Sequence, residues 1–110
     1  MNELDGLHNK IGQLLVDAGP VNAKKIVARA KLPLDGESCE YEYDYLDQED
    51  DEDWFVPDKL ASHDLRLLLV KLRDFYIQNN MTNGKPAWTA CEIIVDVLEE
   101  RISINLQYDE

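Results

Sequence analysis

The sequence predicts an α+β fold: an antiparallel sheet of about four to five strands, with two helices packed on one face, in the order α-β-β-(β)-α-β-β. Three observations predict it. Two segments carry apolar residues at helical spacing, four segments alternate apolar and polar residues with period two, and turn-forming clusters separate them. At 110 residues with 45% hydrophobic content, the chain forms one domain spanning 1–110 and escapes the low-hydrophobicity class of disordered chains.

The first helix is expected over 3–18, where Leu4, Leu7, Ile11, Leu14, Leu15 and Ala18 make one stripe of a 3.6-residue period. Gly19-Pro20 ends it, because proline lacks the N–H for the ladder and disfavours helix in the residue before it. Ile26, Ala28, Ala30 and Leu32 then alternate with Lys25, Val27, Arg29 and Lys31. A turn cluster at 33–38 follows, after which Cys39, Tyr41, Tyr43 and Tyr45 alternate with Glu40, Glu42 and Asp44. These segments predict a hairpin with strands near 24–32 and 38–47, in which Lys25, Arg29 and Lys31 pair across the strands with Glu40, Glu42 or Asp44. Residues 47–53 are expected to form an acidic loop, and Trp54-Phe55-Val56 a short third strand stopped by Pro57. Ser62 is the expected N-cap of the second helix, with Asp64 in its first turn. Leu65, Leu68, Leu69, Leu72, Phe75 and Tyr76 form its apolar stripe, leaving Lys71, Arg73 and Asp74 off it. Asn79-Asn80, Asn83-Gly84 and Pro86 lead out of that helix. Cys91, Ile93, Val95 and Val97, then Ile102, Ile104, Leu106 and Tyr108, alternate on either side of a turn near 98–101 and predict a second hairpin.

Charge is distributed unevenly. No Lys or Arg lies between Pro33 and Asp58, yet that stretch holds most of the acids that set the net charge of -12. Tyr41, Tyr43, Tyr45, Trp54 and Phe55 are interleaved with them. Such a field repels nucleic acid and anionic membrane and attracts a basic protein surface. The candidate partner-binding residues are Asp44, Asp47, Glu49, Asp50, Asp51, Glu52, Asp53 and Trp54, with Asp44 and Asp47 at the rim. A solvated charge run is the commoner meaning of such a tract. What raises this one is the adjoining Trp54-Phe55, although at least one of that pair is expected to belong to a core strand. The three tyrosines are expected to form a packed sheet face.

Catalysis finds no residue set. His8 and His63 are the only histidines, and no GxSxG, HExxH, P-loop or GxGxxG pattern occurs, so no enzyme is expected. Calcium would find oxygen ligands at Asp47, Glu49, Asp51 and Asp53. However, Glu52 stands where the loop needs glycine, and Asp58 where it needs a bidentate glutamate. No metal or cofactor is expected; an acidic module that responds to divalent ions is the alternative reading. Cys39 and Cys91, far apart and without a CxxC motif, are expected to be free thiols. No apolar run reaches the roughly 20 residues that span a bilayer, and the N-terminus lacks the basic and apolar regions of a signal peptide. A cytoplasmic protein is expected, its oligomeric state open.

Leu72-Arg73-Asp74-Phe75-Tyr76, the turn Asn83-Gly84-Lys85, Pro86-Ala87-Trp88-Thr89 and the terminal Leu106-Gln107-Tyr108-Asp109-Glu110 together resemble the YezG-like immunity proteins, and the N-terminal half is similar in order, so the resemblance covers essentially the whole chain. That family has a helix, a Gly-x-Pro-Trp-Thr-like turn and two strands ending in Tyr-x-Tyr-Asp. Here Ala87 separates Pro86 from Trp88, and Leu-Gln-Tyr stands for Tyr-x-Tyr. The resemblance implies an immunity protein, or antitoxin, of a bacterial polymorphic toxin system, whose partner is a toxin nuclease domain. A nuclease cleft is basic because it holds phosphates. The resemblance also implies that Trp88 anchors its turn onto the sheet.

Overall fold

The computed structural model describes residues 3–33, 39–79 and 88–107. Its elements are α1 (Glu3–Ala18), β1 (Ala23–Lys31), β2 (Glu40–Asp47), β3 (Glu52–Trp54), α2 (Lys59–Gln78), β4 (Ala90–Asp96) and β5 (Arg101–Gln107). The strands form one antiparallel sheet in the order β3-β2-β1-β4-β5, and both helices cover the same face. The expected α+β architecture is therefore present, with all five strands. No described helix is long and apolar enough to cross a membrane.

β1 takes the centre because its inward residues are small. Ala28 and Ala30 lie under the helices flanked by Ile26 and Leu32, all of them buried. Opposite them stand Tyr43 and Tyr41 on β2, and Ile93 and Cys91 on β4, so large side chains fill the space the alanines leave. Leu7, Ile11 and Leu15 of α1 and Leu65, Leu69 and Leu72 of α2 close the core from above. Gly12 permits the close seating of α1 on β5, since a Cβ there would stand 3.3 Å from Ile102 Cδ1. At Gly19 the space is tighter still: a Cβ would lie 2.7 Å from Ile26 Cδ1 and 3.0 Å from the Leu15 carbonyl oxygen, so a larger residue would have to displace the Ile26 side chain.

Three local expectations require correction. The N-cap of α2 is Asp58, whose Oδ1 accepts the Ala61 N–H at 2.8 Å. Ser62 lies inside the first turn; its carbonyl accepts from the Tyr41 hydroxyl at 2.8 Å and its hydroxyl meets that of Tyr43 at 3.0 Å. The third strand is Glu52–Trp54 rather than 54–56, which shortens the acidic loop. Arg73 does not lie off the apolar stripe: it is 4% exposed. Its guanidinium donates to the carbonyls of Leu32 (2.7 Å), Pro33 (2.9 Å) and Trp88 (3.3 Å), and it sits 5.8 Å from the centre of the Trp88 ring. One side chain thus ties α2 to the exit of β1 and the entry of β4. Trp88 is fully buried, as an anchor of its turn should be. The expected turns at 34–38 and 80–86, and the chain from Tyr108 onward, lie outside the described residues.

Cys91 is buried and Cys39 half-buried, both as free thiols. β1 lies between their strands, so two strand spacings of about 4.8 Å each hold them farther apart than a disulfide spans.

The Arg73 contacts make a prediction. Arg73→Ala strips several buried carbonyls of their donor, each worth about 1–3 kcal/mol when left unsatisfied. Urea denaturation should show a loss of roughly 3 kcal/mol or more; a loss below about 1 kcal/mol would contradict the structural role given to this residue.

Candidate functional site

The acidic tract folds into the β2–β3 hairpin at one edge of the sheet. Its turn is built by its own carboxylates. Asp47 Oδ1 accepts the N–H groups of Glu49 (2.8 Å) and Asp51 (3.0 Å), while the Asp47 N–H and carbonyl bond to Asp51 and Asp50. Asp50 adopts φ 65°, a left-handed conformation that Asp tolerates better than most residues. Its carboxylate is held by the Lys24 ammonium of β1. Asp53 Oδ1 accepts the N–H of Trp54 at 2.8 Å. Glu49, Asp51 and Glu52 are left exposed, with no cation against them among the described residues.

Pairing register decides which face each side chain uses. Trp54 stands opposite Asp44 and Glu52 opposite Leu46, on the open face of the sheet away from the helices. Phe55 turns to the other face, where its ring meets Tyr43 at 5.5 Å and Tyr45 at 5.9 Å between centroids, and Tyr43 stacks on Tyr41 at 5.5 Å. Of the Trp54-Phe55 pair, Phe55 therefore joins the core and Trp54 does not: it is 69% exposed. The three tyrosines form the packed face expected of them. This aromatic ladder, fixed to α2 through Ser62, makes the hairpin a rigid mount for Trp54. A shallow groove of about 450 Å³ lies at this edge, lined by Glu42, Asp44 and Trp54 of the open face, by Val56, and by Tyr41, Tyr43, Phe55 and Ser62 of the helix side.

Asp44 takes a different part from the one its sequence position implies. Its Oδ2 accepts from Arg29 Nη1 at 2.7 Å, and Arg29 reaches Glu92 at 3.2 Å and Glu42 at 4.0 Å. The hydrogen bond that Arg29 donates to Asp44, ahead of the one it donates to Glu92, raises the Arg29 pKa above its ordinary value. Asp44 is therefore a cation-paired member of a three-strand ion cluster at the groove wall. Of the eight candidates, the fold brings Glu49, Asp51, Glu52 and Trp54 together as an exposed set. It gives Asp44 and Asp50 cations, and it uses Asp47 and Asp53 to hold backbone. Sequence reading missed Lys24 as the partner of Asp50; its place at the start of β1, beside the hairpin end, was the available signal. Val56 and Leu60 were also missed as exposed apolar neighbours, at 77% and 67%.

The site contains no nucleophile–base pair. His8 and His63 sit on different helices, half-buried and exposed respectively. Among the described residues, no group of three or more His, Cys, Asp or Glu side chains stands close enough to hold a metal ion. No family model and no curated protein matches the chain.

Burial of the aromatic ladder leaves a titration signature. Desolvation, first among the causes, raises the pKa of Tyr41 and Tyr43, and it pushes Cys91 up to about 12. In the unfolded chain these groups ionise near their ordinary values of 10.0 and 9.0, so above about pH 9 the unfolded state binds fewer protons than the folded one. Stability should therefore fall between about pH 9 and pH 12, and Tyr41→Phe should make the fall shallower. Urea midpoints that stay flat across that range would contradict the burial assigned to these groups.

Proposed function

We propose that this chain is a non-enzymatic, cytoplasmic immunity protein that binds and inhibits a basic toxin nuclease domain through the tip and open face of the β2–β3 hairpin. The observation that carries the reading is Trp54: a large aromatic side chain, mostly exposed, on a strand whose turn carries Glu49, Asp51 and Glu52 with no cation against them among the described residues. A residue of that kind costs solubility in the free protein and contributes heavily to affinity once a partner buries it. The likeness to YezG-like immunity proteins in the Arg73–Tyr76 and Trp88–Thr89 segments supports the same reading.

Charge and apolar contact divide the work. Protection against a lethal enzyme needs a Kd on the order of nM or lower, roughly -12 kcal/mol. Rim carboxylates chiefly speed the encounter, toward ~10⁸ M⁻¹s⁻¹ at low salt, and steer the orientation of docking. Trp54, with Val56 beside it, supplies the desolvated centre. A cationic side chain of the nuclease fits the groove between Trp54 and Asp44, where it meets both a ring face and the ion cluster.

A nuclease domain encoded next to this chain is the natural binding partner for the test. The triple change Glu49→Lys, Asp51→Lys, Glu52→Lys leaves the turn-forming Asp47 and the paired Asp50 intact. It should slow association by roughly tenfold or more at low salt, with the difference shrinking as salt rises. Trp54→Ala should weaken binding by roughly 30-fold or more, mostly by faster dissociation. Stopped-flow and inhibition assays measure both effects; unchanged association and unchanged affinity would place the contact elsewhere.

A further inference from the structure

The sheet has a second edge, and it differs from the acidic one in every respect that governs strand pairing. β5 is seven residues long, contains no proline and no acid, and carries one charge, Arg101, at its end. β3, by contrast, has three residues and reads Glu-Asp-Trp. Proteins guard free edges with short strands, charge, proline or bulges. β3 has the first two, and β5 has none of them beyond Arg101.

Hydrogen-bond parity shows which groups β5 offers. The Val97 N–H donates to Lys24 O and the Leu32 N–H to Thr89 O. These bonds fix the odd-numbered residues of β4 as those that bond to β1, and the even-numbered ones, Glu92, Ile94 and Asp96, as those that bond to β5. Their partners Asn105, Ser103 and Arg101 therefore face inward. The N–H and C=O groups of Ile102, Ile104 and Leu106 point out from the sheet edge, with no strand against them among the described residues. Their side chains lie on the helix face but stay half-buried, whereas their β4 neighbours Val95, Ile93 and Cys91 are buried.

We infer that β5 is a self-association edge, on which a second copy of this chain pairs antiparallel about a two-fold axis at Ile104. Within the seven residues this register sets no like charges opposite each other. Ile104 faces its own equivalent and Ile102 faces Leu106 on the apolar side; Ser103 faces Asn105 and Arg101 faces Gln107 on the open side. Each of the three outward-facing residues then exchanges both backbone bonds with its opposite number, as an isologous contact requires. Charge selects this occupant's approach. A chain of net charge -12 repels its copy nearly everywhere, but β5 is the edge whose strand lacks acids. Glu99 and Glu100 precede the strand, outside the paired seven residues. The two β3 edges end up nine strand spacings apart, about 43 Å, well beyond the roughly 8 Å screening length at physiological salt. Both hairpins remain free for partners.

Sedimentation equilibrium of the full chain over roughly 1–500 µM tests the inference. The wild-type chain should pass from 12.7 kDa to twice that mass. Ser103→Lys with Asn105→Lys sets like charges opposite each other at two places across the axis, at exposed positions; the new lysine at 105 also faces Glu92 within its own sheet. The pair should raise the dimer Kd by roughly tenfold or more, even though it lowers the net negative charge that otherwise opposes association. Gln107→Glu, which meets Arg101 of the other copy, should tighten the dimer although it adds an acid. A wild-type mass of 12.7 kDa throughout would overturn the inference and leave β5 to a strand from another protein. A dimer that survives the double lysine change unaltered, or that Gln107→Glu weakens, would overturn this register.

Discussion

The supply of cations to the sheet is the constraint on which this structure depends. β1 carries Lys24, Lys25, Arg29 and Lys31 and no acid, and it lies between β2 and β4, which carry acids on the open face. Arg29 spans all three strands by holding Asp44 on one side and Glu92 on the other. Each of these exposed pairs contributes at most about 1 kcal/mol. Their larger effect is on arrangement: like charges set opposite each other are unfavourable, so the acid-bearing strands are better placed beside β1 than beside one another. Asp44 and Glu92, within reach of β1, share the Arg29 cation. The carboxylates one strand farther out, on β3 and its turn, have no cation against them among the described residues, apart from Asp50 through Lys24.

That gradient links fold to function. The same core that places Ala28 and Ala30 under the helices puts the tyrosines of β2 beneath α2, and these in turn seat Phe55. With Phe55 inward, strand alternation forces Trp54 outward, into the region where uncompensated acids collect. The exposed tryptophan is thus a consequence of register and not of a mobile loop. At the opposite edge, β5 carries neither acids nor aromatics, so the two edges differ in charge and in exposed aromatic surface.

Most of the framework was legible because periodicity survives folding. The stripe from Leu4 to Ala18 marks α1, and the alternation around Arg29 and Glu42 gives the first hairpin; of the expected cross-strand ion pairs the Arg29 ones form, while Lys25 and Lys31 make no salt bridge among the described residues. The order of strands was not legible, since nothing local says that β1 pairs with β4 as well as β2. Arg73 was misread because its charge outweighed its spacing: it follows Leu65 and Leu69 at successive intervals of four, which puts it on the buried side. Asp58 was passed over as cap because Ser62 stands nearer the apolar run, yet Asp58 directly follows Pro57. In the site, sequence located the acidic field and its tryptophan. It could not separate Asp47 and Asp53, which hold backbone, or Asp44 and Asp50, which hold cations, from Glu49, Asp51 and Glu52, because that division depends on which groups the turn brings together.

In the proposed complex the β2–β3 hairpin, and not the helix face, meets the partner. Amide hydrogen exchange of the chain, alone and with the proposed nuclease domain, tests this most directly. Added protection should concentrate at residues 47–56 and at the adjoining open face of β2, with α1 and α2 unchanged. Protection confined to the outer surfaces of the helices, with the hairpin exchanging as in the free protein, would contradict it.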